Sequence, residues 1–144
     1  MPLPCLASLA TLVVLLQAPA APADTPRGLR LSTPAASPGY TFFSPLGSKY
    51  TYLVDLQGRE VHRWTSALGP SSVYLLADGS ILRAGRVEKN PRFQGGGICG
   101  RIERIGWDGE LSWKYDLANE DQTQHHDALP MPNGHVLLIA WEFR

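Results

Sequence analysis

The sequence predicts an all-β fold: an incomplete β-propeller, with about two blades of four-stranded antiparallel sheet. Three observations carry this. From Tyr40 onward, short β-branched, aromatic and apolar runs alternate with Gly, Asp and Asn turn residues. Those runs recur at an offset of about 50 residues. After the N-terminus no helical period is sustained.

Taken in order, residues 1–23 read as a signal peptide. Leu3, Leu6, Leu9, Leu12, Val13, Val14, Leu15 and Leu16 form an apolar stretch, and Ala21-Pro22-Ala23 offers an Ala-x-Ala-like cleavage site before Asp24. The stretch is shorter than the ~20 apolar residues of a spanning helix. No Lys or Arg precedes it, and Cys5 stands before it, which argues against a lipoprotein anchor. The expected location is therefore secreted or periplasmic, with no membrane anchor left after cleavage. Residues 24–39, rich in Pro, Ser, Thr, Ala and Gly, read as an extended lead-in. Residues 40–144 hold the N-terminal blades.

Thr51-Tyr52-Leu53-Val54 stops at Asp55-Leu56-Gln57-Gly58, and Val61-His62-Arg63-Trp64 resumes, a hairpin pattern. Val73-Tyr74-Leu75-Leu76 meets Asp78-Gly79 before Ile81-Leu82. Asp-Gly between apolar runs is a strong hairpin signal, because both turn residues tolerate positive φ. The pattern then returns. Val54, Gly58 and Trp64 correspond to Ile105, Gly109 and Tyr115, and Asp78-Gly79-Ser80-Ile81-Leu82 corresponds to Asn133-Gly134-His135-Val136-Leu137. Units of this length with about four short strands are the mark of propeller blades, which bury their faces only by stacking. One full unit falls at about 70–118, with half a unit on each side, so the ring is expected to be open in this chain. A β-sandwich of eight or so strands is the rival that the length allows, and the paired offsets favour blades.

The chain has 144 residues, with 13 Lys plus Arg against 13 Asp plus Glu. That balance provides no field to attract nucleic acid or an anionic membrane. The two cysteines are Cys5 and Cys99, so a mature chain keeps Cys99 alone. It is either an unpaired buried cysteine or one whose partner lies elsewhere.

The polar cluster that stands out is Gln124-His125-His126-Asp127, ahead of the strand run Ala128-Leu129-Pro130-Met131. By the repeat, His126 stands where Ser71 stands one unit earlier, at the start of an innermost strand. In an extended segment His125 and Asp127 would share one face and His126 the other. Asp127 could then orient His125 and leave His126 facing a central channel. The rival reading is structural, with polar turn residues bonding backbone. No zinc spacing or calcium loop is present, and no cofactor is expected. Gly95-Gly96-Gly97 with Gly100 lacks the Lys-Ser/Thr of a phosphate loop and reads as part of a long connection between Arg86 and Arg101. Arg83, Arg86, Arg92 and Arg101 flank it and could bind a sulfate or carboxylate, or be solvated. Trp64, Trp107, Trp113 and Trp141 read as packing residues between blades.

Several of these stretches together resemble the N-terminal part of the arylsulfotransferase family. They are Gly39-Tyr40-Thr41-Phe42-Phe43-Ser44-Pro45-Leu46, Tyr52-Leu53-Val54-Asp55 through Gly58 to Trp64, Tyr74 through Arg83, Gly100-Arg101-Ile102 to Trp113, and His125-His126-Asp127 through Leu137. The resemblance covers about residues 28–143 and implies an exported six-bladed propeller. It also implies transfer of a sulfuryl group from a phenolic sulfate to a phenol, through a histidine that is sulfated transiently. By that resemblance His126, with His125 and Asp127, is a sulfate-contacting or orienting group. The resemblance implies that the sulfated histidine lies further along, so these residues alone are expected to be inactive. The expected partners are a small phenolic sulfate and a phenol acceptor, with no nucleic acid. A non-catalytic extracellular binding module is the alternative, since a propeller does not dictate its function. A quinone-dependent dehydrogenase is weaker, because neither a calcium carboxylate set nor a vicinal disulfide is present.

Overall fold

A computed structural model of the protein describes residues 28–87 and 92–144. The predicted signal peptide and the first part of the lead-in lie outside the described residues. Residues 28–39 are exposed and carry no strand.

The described chain is all-β with no helix, arranged as three antiparallel sheets. Strands β1 (Thr41–Phe43), β2 (Tyr50–Val54) and β3 (Glu60–Thr65) form the first. The second is a four-stranded meander of β4 (Gly69–Leu75), β5 (Ile81–Arg86), β6 (Gly100–Ile105) and β7 (Leu111–Asp116). Strands β8 (Gln122–Pro130) and β9 (Val136–Glu142) form the third. The meander occupies nearly the stretch that the sequence assigns to a complete unit.

The turns follow the residues that demand them. Gly58, Gly79, Gly109 and Gly134 all have positive φ, between 74° and 87°, where a side chain would be strained. At the β4–β5 turn, Asp78 accepts hydrogen bonds from the Ser80 hydroxyl and amide and from Arg104. The Ser80 bonds, with help from Arg104, hold its carboxyl at about 2. The repeat also extends to irregularities. The β2–β3 ladder slips between Leu53 and Val54, and the β6–β7 ladder slips at the corresponding Arg104 and Ile105.

The meander is buried on both faces at β5, where every residue from Ile81 to Gly85 is buried. One face packs on the first sheet, through Leu53, Trp64, Ile81 and Ile105 with Phe42 and Val73. The other packs on the third, through Leu82, Ile102 and Ala128 with Tyr74, Val136 and Leu138. This two-sided burial accounts for the near-continuous apolar character of the strand.

The exception is Arg83, which faces the first sheet and is 1% exposed. It does not behave as a solvated arginine. Its Nη1 donates to Glu103 Oε2 at 3.2 Å and its Nη2 to the Leu68 carbonyl at 2.7 Å. The Ser66 hydroxyl donates to the same Glu103 oxygen at 2.7 Å. Burial pulls the Arg83 guanidinium below its usual value, and the Glu103 charge opposes this. Ser66 and Leu68 belong to the β3–β4 connection, so the pair ties that crossover to the centre of the meander.

Removing one member of such a pair strands the other charge in the interior. Glu103→Ala should therefore destabilise the protein by about 3–5 kcal/mol in urea unfolding. Replacing Arg83 and Glu103 together by apolar residues of similar volume should recover most of the loss.

Candidate functional site

The Gln124-His125-His126-Asp127 cluster lies within β8, at a break in the β8–β9 ladder. Gln124 pairs with Ala140 and Ala128 with Leu138, so three residues of β8 stand opposite Ile139 alone. The corresponding break in β4 lies between Pro70 and Val73, where two residues, Ser71 and Ser72, stand opposite Ala84. Strand β8 therefore carries one more residue than β4 at the same place. A bulge of this kind bends the strand and redirects side chains.

The bulge overturns the expectation of an extended segment. His126 has φ 56°, the only non-glycine residue with positive φ among the described residues. This left-handed conformation brings the two imidazoles to the same side. His126 Nδ1 lies 3.0 Å from His125 Nδ1, with the rings nearly perpendicular. Asp127 does not orient His125. Its carboxylate accepts from the Tyr74 hydroxyl of β4, at 2.9 and 3.1 Å to its two oxygens, and from the Ala128 amide at 2.8 Å.

Each member of the cluster is held separately. Buried Gln124 donates through Nε2 to the Asp127 carbonyl at 3.0 Å. Its Oε1 accepts from the Gly100 amide at 3.4 Å. Asp127 is held below the usual carboxylate range. Burial works against its ionisation, but the neighbouring Ser72 hydroxyl and the hydrogen bonds from Tyr74 and the Ala128 amide outweigh burial. His125 is half-buried and stacks on Trp141, with ring centroids 4.1 Å apart. His126 is exposed.

The glycine run completes the site from outside the sheet. The His126 amide donates to the Gly97 carbonyl at 2.7 Å, and His125 Nε2 lies 3.1 Å from the Gly96 carbonyl oxygen. Ile98 forms an isolated bridge with His125, and the Cys99 amide donates to the Gln124 carbonyl. A Cβ on Gly97 would collide with the His126 ring, and Gly97 also has φ 76°. The run is therefore a bed for an imidazole rather than a phosphate cradle. Cys99 is buried, and its Sγ faces the Gly97 and His126 carbonyls.

Three of the four arginines flanking the loop are held in other contacts. Arg83 is in the buried pair, Arg101 binds Asp116, and Arg92 donates to the Glu120 carbonyl and lies over the Phe143 ring. Among the described residues no group of three or more His, Cys, Asp and Glu is placed to hold a metal ion. A groove of about 1030 Å³ lies elsewhere, lined by Trp113, Tyr115, Arg104, Met131 and His135 among others. Comparison with protein-family models and with curated proteins finds no match for the chain.

Two outcomes follow from this geometry. Gly97→Ala should lower stability by about 1–3 kcal/mol in thermal unfolding and shift the His126 ring resonances. Because the Asp127 carboxyl is depressed in the folded state, its stabilisation is complete above the unfolded pKa and fades as pH falls through the folded one. Tyr74→Phe removes a donor that favours the ionised form. The stability gap between wild type and Tyr74→Phe should be full above about pH 5 and shrink below about pH 4.

Proposed function

We propose that the three sheets are successive blades of an exported β-propeller, and that the propeller is an aryl-sulfate sulfotransferase moving a sulfuryl group from a phenolic sulfate to a phenol. His126 is the residue of this chain that meets the reacting groups. The observation that carries the reading is the additional residue in the β8 bulge. It places an exposed imidazole where the preceding unit has only serines, and fixes it by contacts on both sides.

Further features support the blade reading. The meander is buried on both faces, and the ladder slips recur at corresponding residues. The far face of the third sheet still exposes Leu129, Leu137 and Ile139, as a blade does before its neighbour is laid on it. The chemistry also suits the site. Sulfuryl transfer, like phosphoryl transfer, has a loose transition state with little covalent work for the protein, so positioning dominates. An imidazole near neutral pH can serve as nucleophile, base or, when protonated, donor.

The non-catalytic binding module remains the second reading, favoured by the groove beside Trp113 and Tyr115, which does not include His125 or His126. The two separate in an assay of the whole protein with an aryl sulfate donor and a phenol acceptor. The enzyme reading predicts sulfated phenol, and a fall of about 100-fold or more with His126→Asn. Asn tolerates the left-handed backbone, so the fold should survive. Absence of transfer, or full transfer by the variant, would contradict it.

A further inference from the structure

With both rings neutral, the hydrogen-bond chain through the two histidines allows one placement of their protons. The Gly96 carbonyl oxygen can only accept, so His125 Nε2, 3.1 Å away, carries a proton. In the neutral ring His125 Nδ1 is then an acceptor. His126 Nδ1, 3.0 Å from it, must be the donor. The remaining nitrogen of neutral His126, Nε2, is unprotonated. A chain of carbonyl, imidazole and imidazole thus presents a basic nitrogen on an exposed ring, as a carboxylate presents one through a single histidine in a hydrolase triad.

This bears on which substrate atom His126 meets. A sulfate oxygen seeks an N–H, and Nε2 of the neutral pair has none. A phenol hydroxyl has a proton to give. We propose that His126 is the general base for the phenol acceptor rather than a sulfate contact, and that His125 is a positioning residue that sets its tautomer. The inference rests on the sulfotransferase reading. In the step, the phenol proton passes to His126 Nε2 as the phenol oxygen forms its bond to sulfur. The bond between sulfur and the nitrogen of the transiently sulfated histidine that the resemblance implies breaks, and its electron pair stays on that nitrogen as the imidazole is released neutral. The His126 imidazolium so formed keeps its Nδ1–H on His125, whose own N–H remains on the Gly96 carbonyl. Gly97 lies against the His126 ring, and His125 is stacked on Trp141.

Two measurements on the whole protein test this. Nitrogen-15 NMR of the imidazoles should find neutral His126 protonated at Nδ1 and bare at Nε2. In His125→Phe, which can keep the stack on Trp141 but offers no acceptor, His126 should become a mixture of tautomers. Transfer should then be compared for a weakly acidic phenol and for one already ionised at the assay pH. His126→Asn should slow the weakly acidic phenol by ~10²–10⁴-fold in kcat and the ionised phenol by less than about tenfold. His125→Phe should slow only the weakly acidic phenol. A proton on Nε2 of neutral His126, or equal losses for the two phenols, would overturn the proposal. If the tautomer is as described but the wild-type protein transfers nothing, the sulfotransferase reading and the base role fall together. The relay would stand.

Discussion

Strand β5 has no side that faces water. Its residues from Ile81 to Gly85 are all buried, so the sheet that contains it is stable only with a second sheet on each face. Most of that burial is non-directional apolar contact. The Arg83–Glu103 pair adds direction. Two buried charges restrict the arrangement of donors and acceptors around them, to which Ser66 and the Leu68 carbonyl contribute here. The first sheet and the meander are thereby locked in one relative position, and the third sheet packs on the face that remains.

The imidazole pair depends on that stack. Asp127 reaches back to Tyr74 of the meander, and Gln124 bonds the Gly100 amide at the start of β6. These contacts leave the additional residue of β8 nowhere to go but outward, with His126 in the left-handed conformation. The strain of that conformation is acceptable because the bulge is held from both sides. A residue on a free loop would relax into a commoner conformation and lose the relation between the two rings. The three glycines contribute by what they lack, since a side chain at Gly97 would displace the ring it supports.

Much of the fold was legible in the sequence, because the hairpins rest on local chemistry. Asp78-Gly79 and Asn133-Gly134 mark turns wherever they occur between apolar runs, and the recurrence of whole units locates the meander. Strand β1 lacked such a signal, being three residues long. Arg83 was open to a solvated reading because arginine is seldom buried unpaired, and its partner Glu103 stands twenty residues away. The site was half legible. His125 and His126 stand out by composition, but the alternation rule that separates them assumes an unbroken strand. The bulge appears only when β8 and β4 are compared against their partners in register. The glycine run and Trp141 stand out in the sequence, but nothing there ties Gly96, Gly97, Tyr74 or Trp141 to the cluster, because each matters through a neighbour distant in sequence.

The account's central claim is that the exposed imidazole of His126 sits on a fixed backbone anchored to a two-sided stack. Native-state hydrogen exchange tests this most directly, since it reads each amide's opening separately. The account predicts that the β5 amides exchange slowest in the chain. It also predicts that the His126 amide, bonded to the Gly97 carbonyl at 2.7 Å, is protected far beyond what its exposed side chain implies. A His126 amide exchanging as freely as the exposed lead-in, or β5 amides no slower than those of β7, would contradict it.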